Sequence, residues 1–258
     1  MKPPAAWSEP RTAIVTGGGQ GIGLAIATRL AMEGATVAIW DRDGDAAAAA
    51  AKGIEADGGK AIALTVDVTD KSGIDAAVAG VRDAVGAATI IVNNAAISPF
   101  KRFLEIERED LEQVIAVNLI GTFDCCQAVV PDMIAAGWGR IINIASSSAQ
   151  TGSPLQTHYS ATKGAVIALT RSLAVALGSK GITANAVPPS VIDTPGLRTA
   201  EEGGFLGPDR ALLEKAVPVR RMGQPEDIAA MCAFLARDDA SFITGQVMGV
   251  NGGRVIGG

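Results

Sequence analysis

Tyr159 is the one tyrosine of the 258-residue chain, and Lys163 follows it by four positions. On a helix that spacing puts both side chains on one face, about one turn apart. A free phenol titrates near ~10, too high for a base at neutral pH. A nearby ammonium favours the phenolate and lowers that value. The pair is therefore chemically able to exchange the proton of an alcohol. An isolated Y-x-x-x-K is more often ordinary helix surface, so it needs company. Ser146-Ser147-Ser148 closes an apolar run. A hydroxyl there could hold a carbonyl oxygen, although three serines also make a turn. No His–Asp pair lies near them, which argues against a serine hydrolase. His158 projects from another helix face than Tyr159 and reads as structural.

A second cluster lies near the start. Thr16-Gly17-Gly18-Gly19-Gln20-Gly21-Ile22-Gly23 follows a short apolar run. Glycines let a backbone approach a phosphate, and the helix start beyond them offers free N–H groups and a positive dipole end. Strict G-x-G-x-x-G spacing is absent, so the motif gains its meaning from its place between a first strand and a first helix. Asp41 ends the second strand, near the offset of a ribose-binding acid. Its carboxylate would accept from both ribose hydroxyls and repel a 2′-phosphate, favouring NAD over NADP. Arg42 could pair with such a phosphate and pulls the other way. Asp67 and Val68 end the third strand at the same edge, where they could meet an adenine or simply face water.

These residues need a scaffold that brings strand ends together. Apolar runs of strand length at 12–16, 36–40, 61–66, 89–92, 140–145, 182–187 and 246–250 alternate with helical patterns. The helices are predicted at 21–33, 45–57, 71–85, 107–136, 157–179 and 225–237. The 107–136 pattern reads as one helix, with Pro131 bending its end. Six consecutive alanines at 46–51 suit a helix. Residues 190–224 read as an irregular lid with a helical patch at 209–215. The expectation is an α/β class, Rossmann-type, doubly wound fold: a seven-stranded parallel sheet flanked by helices. It forms one domain over 11–258, with 1–10 as an extension.

Composition narrows the classes. Apolar residues make up 48% and charged residues 19%, a balance that excludes a disordered chain. The net charge of −5 and the absence of a Lys/Arg block argue against nucleic-acid binding. The long uncharged stretches 84–100 and 141–162 are broken by Asn, Gly, Pro or serines, so no membrane span is expected. No secretory signal is expected at the start. Three cysteines give no disulfide framework and read as buried residues in a reducing, cytoplasmic compartment. One histidine and no Cys/His cluster leave no metal site expected.

Taken together, these residues resemble the short-chain dehydrogenase/reductase family of single-domain type, from about Arg11 to Gly253. The glycine turn matches T-G-x-x-x-G-x-G. Asn93-Asn94-Ala95-Ala96 matches N-N-A-G, with Ala96 in place of the glycine. Asn118 matches the family's asparagine on the long helix. Ser146 stands thirteen residues before Tyr159, the usual offset. Asn185, Pro189 and Thr194 match the segment after the sixth strand, where Pro189-Ser190 replaces the usual Pro-Gly. Asn251-Gly252-Gly253 resembles D-G-G.

The resemblance implies hydride transfer between a nicotinamide cofactor and a secondary alcohol or ketone. In that reading Ser146 orients the carbonyl and Tyr159 moves the proton. Lys163 binds the nicotinamide ribose and depresses the tyrosine. Asn118 holds a water joining Lys163 to solvent. Gly17, Gln20, Gly21, Ile22 and Gly23 take the pyrophosphate. Asn94, Ala95 and Ala96 flank the cofactor, and Pro189, Ile192 and Thr194 lie at its carboxamide end. By analogy the substrate pocket draws on Ser98, Gln150, Gly152, Leu155 and Gln156. These are uncharged, which points to a neutral ketone or alcohol rather than a carboxylate. A homotetramer is implied as well. The alternatives are a 3-oxoacyl-thioester reductase, which shares every motif, and a non-catalytic cofactor-binding regulator.

Overall fold

β1 (Thr12–Thr16) is buried along its whole length. Ala13 and Val15 enter one apolar layer and Ile14 the other. A central parallel strand needs both faces covered, which is why its sequence reads as a continuous apolar run. A computed structural model describes residues 7–205 and 210–256. Among them β2 (Thr36–Asp41), β3 (Lys60–Thr65), β4 (Ile90–Asn93), β5 (Gly139–Ile144) and β6 (Ile182–Val187) complete a parallel sheet. Its spatial order is β3-β2-β1-β4-β5-β6. The order reverses between β1 and β4, and ligands of open α/β sheets bind in the crevice at such a point.

The helices are α1 (Gly21–Met32), α2 (Gly44–Ala56), α3 (Lys71–Val85), α4 (Arg108–Ile115) and α5 (Thr122–Ala136), followed by α6 (Ser148–Thr151) and α7 (Thr157–Leu177). α8 (Pro195–Glu202), α9 (Arg210–Lys215) and α10 (Pro225–Ala236) close the series. Ile26 and Leu30 of α1, Ala50 and Ile54 of α2 and Ile228 and Cys232 of α10 cover one face. Ile74 and Val78 of α3, Cys125 and Val129 of α5 and Ala174 of α7 cover the other. The alanine run does form a helix. Asp43 starts it by accepting from Asp45 N at 3.1 Å and Ala46 N at 3.0 Å.

Three expectations change. First, 246–250 is not a seventh strand. It follows β6 through isolated parallel bridges, Ala186 to Val247 and Pro189 to Val250. Pro188 and Pro189 bring no amide N–H to a ladder there. The Asn185 side chain also takes two ladder positions, accepting from Gln246 N at 3.1 Å and donating to Ile243 O at 2.8 Å. Second, the helix predicted over 107–136 is interrupted by a wider π turn, Ala116–Gly121, between α4 and α5. Pro131 sits inside α5 without ending it. Third, the lid is not irregular throughout. Thr194 caps α8, its hydroxyl accepting from Leu197 N at 3.2 Å, and Pro195 opens it. Residue 209, where the predicted patch began, lies outside the described residues.

The segment before β1 is tied down as far as it is described. Trp7 is buried, and its indole donates to Ala236 O at 2.7 Å. Trp138 closes the same end. Arg11 lies 3.8 Å from its ring and the buried Arg140 4.2 Å. Two helical stretches, Arg108–Ala136 and Thr157–Lys180, are long and apolar enough to cross a membrane by length and composition. Both lie against the sheet, and they leave Ile120, Phe123, Ile134 and Val175 exposed.

The glycine turn seats α1 with no slack. A Cβ on Gly23 would lie 2.0 Å from Gly17 O and 2.6 Å from Asn94 Nδ2. Gly23→Ala is expected to lower the unfolding free energy by at least about 2 kcal/mol, as overpacking does. Urea denaturation followed by circular dichroism measures it. An unchanged midpoint would mean that this turn yields freely.

Candidate active site

A cleft of about 970 Å³ opens over the carboxyl ends of the strands. At its centre, β1 and β4 end side by side and four hydrogen bonds join them. Thr16 Oγ1 accepts from Asn94 N and Ala95 N, each at 3.0 Å. Asn94 Nδ2 donates to Thr16 O and Gly17 O, also at 3.0 Å. Gly17 has φ +60°, with Ala95 Cα only 3.0 Å from where a Cβ would stand. Gly17, Gln20, Gly21, Ile22, Asn94, Ala95 and Ala96 all line the cleft. Gly23 lies below them, packed against the turn.

One end of the cleft is bounded by Asp41, Arg42, Asp67 and Val68. Asp41 folds back on the glycine turn, accepting from Gly19 N at 3.0 Å and from Asp43 N at 3.1 Å. Asp67 accepts from Thr69 N at 2.8 Å and Thr69 Oγ1 at 2.7 Å. These two bonds hold its carboxyl below the ordinary aspartate value.

Ser146, Tyr159 and Lys163 meet on the opposite wall. Burial pushes the half-buried Tyr159 phenol above its ordinary value, and the hydrogen bond to Ser146 pulls the other way. Ser146 Oγ accepts from Ser148 N at 3.2 Å and from Ser148 Oγ at 2.9 Å. With its lone pairs so occupied, the Ser146 proton is left to donate. Lys163 is buried, 5.8 Å from the tyrosine ring centroid, and donates to Ile144 O at 2.7 Å. Burial lowers its ammonium to about 8. Burial sets the direction of the phenol's shift, and Ser146 rather than Lys163 opposes it. α7, which carries both residues, is tied to the sheet by a buried relay. Asn93 Nδ2 donates to Asn143 Oδ1 and Asn143 Nδ2 to Thr170 Oγ1, each at 2.8 Å.

Pro189, Ile192 and Thr194 line the cleft beyond this wall, as do Ser98, Gly152, Leu155 and Gln156. Two expected residues stand elsewhere. Gln150 is exposed and off the cleft, because the single turn of α6 aims Ser148 and Thr151 inward and Gln150 out. Asn118 lies beneath the cleft, fully buried. Its side chain accepts from Ile97 N at 2.9 Å and donates to Ile97 O at 2.9 Å and Thr162 Oγ1 at 3.2 Å. It braces the 94–97 segment against α7. His158 is buried, and neither ring nitrogen has a partner among the described residues. Burial lowers its pKa.

Sequence reasoning missed the lid aromatic Phe205, which stacks on Phe100 with centroids 5.3 Å apart. It missed Arg254 in the cleft wall too. A basic residue just past Asn251-Gly252-Gly253 was the available signal. The lid charges pair with one another, Arg210 with Asp193 at 2.8 Å and with Glu201 at 2.9 Å, and Arg198 with Asp193 at 3.3 Å.

A family model described as enoyl-(acyl carrier protein) reductase matches residues 17–254. The chain is 39% identical to a hydroxy(phenyl)methylsuccinyl-CoA dehydrogenase subunit of Thauera aromatica, over 95% of this chain and 96% of that one. It is also 39% identical to a 3-oxoacyl-acyl-carrier-protein reductase of Chlamydia trachomatis, over 94% and 96%. A crystal structure of a gluconate 5-dehydrogenase from Burkholderia cenocepacia, in complex with NADP and tartrate, superposes with a TM-score of 0.90. It is 34% identical, over 97% of each chain.

The buried ammonium has a stability signature. Its value falls from 10.5 in the open chain to about 8 in the fold. Between those values the unfolded chain binds more protons, so the contribution of Lys163 improves as pH rises. Below pH 8 its burial costs about 3 kcal/mol. Relative to Lys163→Met, the unmodified protein is expected to gain up to about 3 kcal/mol between pH 7.5 and 10.5. Denaturant titrations of both proteins across that range measure the difference. A flat difference would mean a solvated lysine.

Proposed function

The chain belongs to the short-chain dehydrogenase/reductase family, and we propose that it is an NAD-dependent oxidoreductase interconverting a secondary alcohol and its ketone. The observation that carries this reading is the convergence of Ser146, Tyr159 and Lys163 on one wall of the cleft. A bound nicotinamide supplies the hydride acceptor or donor. The protein does the rest. Ser146, its hydroxyl fixed by Ser148, donates to the carbonyl oxygen. Tyr159 gives that oxygen a proton in reduction and takes it in oxidation. Lys163 uses one N–H on Ile144 O and has two left for ribose hydroxyls. Asn118 positions the 94–97 segment from below.

The pyrophosphate would lie on Gly17, Gln20, Gly21 and Ile22 at the start of α1, with Gly23 giving the turn its close seat. Asn94, Ala95 and Ala96 would flank the cofactor, and Pro189, Ile192 and Thr194 its carboxamide end. Asp41 supports NAD over NADP, since a 2′-phosphate there would face a carboxylate. The exposed Arg42 beside it is the opposing influence. The relative that reduces a 3-oxoacyl thioester supports a second reading, which would use the same wall.

The exposed Ile120, Phe123, Val175 and Phe242 support a homotetramer. Three buried cysteines support a reducing, cytoplasmic setting.

Tyr159→Phe is expected to keep NADH binding, read by fluorescence, while turnover of ketones falls by at least about 100-fold. Retained turnover would assign the proton to another group. Asp41→Ala is expected to narrow the ratio of kcat/KM with NAD to that with NADP by about 10-fold or more. Equal use of both cofactors by the unmodified protein would remove Asp41 as the discriminator.

A further inference from the structure

Among the described residues, five charged side chains line the cleft: Asp41, Arg42, Asp67, Lys163 and Arg254. The first three sit around the ends of β2 and β3, and Lys163 is bonded to Ile144 O. Arg254 stands at the other end. Its turn adjoins Ser190, which follows Pro189, and Pro189 O accepts from Ser147 N at 2.8 Å. The Arg254 guanidinium has no carboxylate or other acceptor among the described residues, whereas the lid arginines 198 and 210 are paired.

The backbone that carries Arg254 is not a loose tail. Asn251 is buried and brackets it. Its side chain accepts from Gly253 N at 3.0 Å and donates to Val255 O at 3.2 Å. Asn251 O accepts from Arg254 N at 3.1 Å and from Ser190 Oγ at 3.1 Å. Ser190 stands where the resembling family usually has glycine, and a glycine could not make that last bond. The hydroxyl thus ties the arginine-bearing turn to the cleft wall. An exposed, unpaired guanidinium on a fixed backbone, lining the same cleft as Ser146, Ser147 and Ser190, suits a monoanion with two oxygens.

We propose that Arg254 makes the substrate end of the cleft a carboxylate subsite, so that the substrate is a hydroxy acid or oxo acid. This replaces the neutral substrate expected from the 150–156 segment, and it rests on the oxidoreductase reading. One guanidinium with hydroxyl neighbours matches a carboxylate better than the dianionic phosphate of a coenzyme thioester.

The test compares acetoacetate, 4-oxopentanoate and 5-oxohexanoate with their methyl amides, using NADH and NADPH. Acetoacetyl-CoA is a third arm. In the unmodified protein kcat/KM is expected to favour the best acid over its amide. In Arg254→Met that ratio should fall at least ~10-fold, the loss lying in KM, and Arg254→Lys should restore part of it. Ser190→Gly should raise the KM for the acid a few-fold. A ratio unchanged in Arg254→Met, or a preference for amides, overturns the proposal. So does a loss confined to acetoacetyl-CoA. Thermal shifts with the same acids and amides give a readout independent of turnover. Stabilisation by an acid that its amide does not match, and that Arg254→Met loses, supports the subsite. Shifts equal for acid and amide, or absent, overturn it. Turnover of nothing, with acid-specific shifts intact, would count against the oxidoreductase reading alone.

Discussion

Where the strand order reverses, β1 and β4 end side by side and the chain must leave each of them without closing the crevice. Thr16 and Asn94 meet that constraint with side chains. The threonine hydroxyl takes two amides from the β4 side, and the asparagine amide takes two carbonyls from the β1 side. No backbone ladder is needed across the gap, and the turn is held from the other side, with Gly18 N donating to Trp40 O and Gly19 N to Asp41. The fit of α1 against Gly17, the level of the cleft floor and the approach of the 94–97 segment all depend on this exchange.

The opposite wall follows a different rule. Its reactive groups are held by burial, which raises the phenol and lowers the ammonium at once. Both shifts favour neutral forms, so the proton stays on the phenol until a bound ligand changes the surroundings. Such a wall would be unstable alone. The Asn93–Asn143–Thr170 relay and the bond from Lys163 to Ile144 O anchor α7 to the strands beneath it. Polar groups inside the sheet thereby fix the helix whose surface carries the chemistry.

Much of this was legible in local pattern. The apolar run of β1, the glycines after it, Asp41 at a strand end and the four-residue step from Tyr159 to Lys163 each follow from backbone periodicity or glycine geometry. What escaped depended on distant contacts. Gln150 sits on a single helical turn, where one residue of phase decides whether it faces in or out. The place of Arg254 depends on Asn251 bracketing a turn and on Ser190 some sixty positions earlier. α8 was readable in principle, since Thr194-Pro195 is a cap followed by a helix-starting proline. The end of the sheet at β6 also had its cause in plain view, in two adjacent prolines. The lysine's acceptor, a carbonyl at the end of β5, had no side-chain signature at all.

The π turn at Ala116–Gly121 has a consequence for chain length. Such a turn holds one residue more than regular winding requires. Removing a residue there would restore regular winding and leave the helix after it in phase, with Cys125, Cys126 and Val129 still on the sheet they cover. The change would fall inside the turn, which carries Asn118 and its bonds to Ile97. A relative with a gap there would keep the packed layer and alter only the brace beneath the cleft.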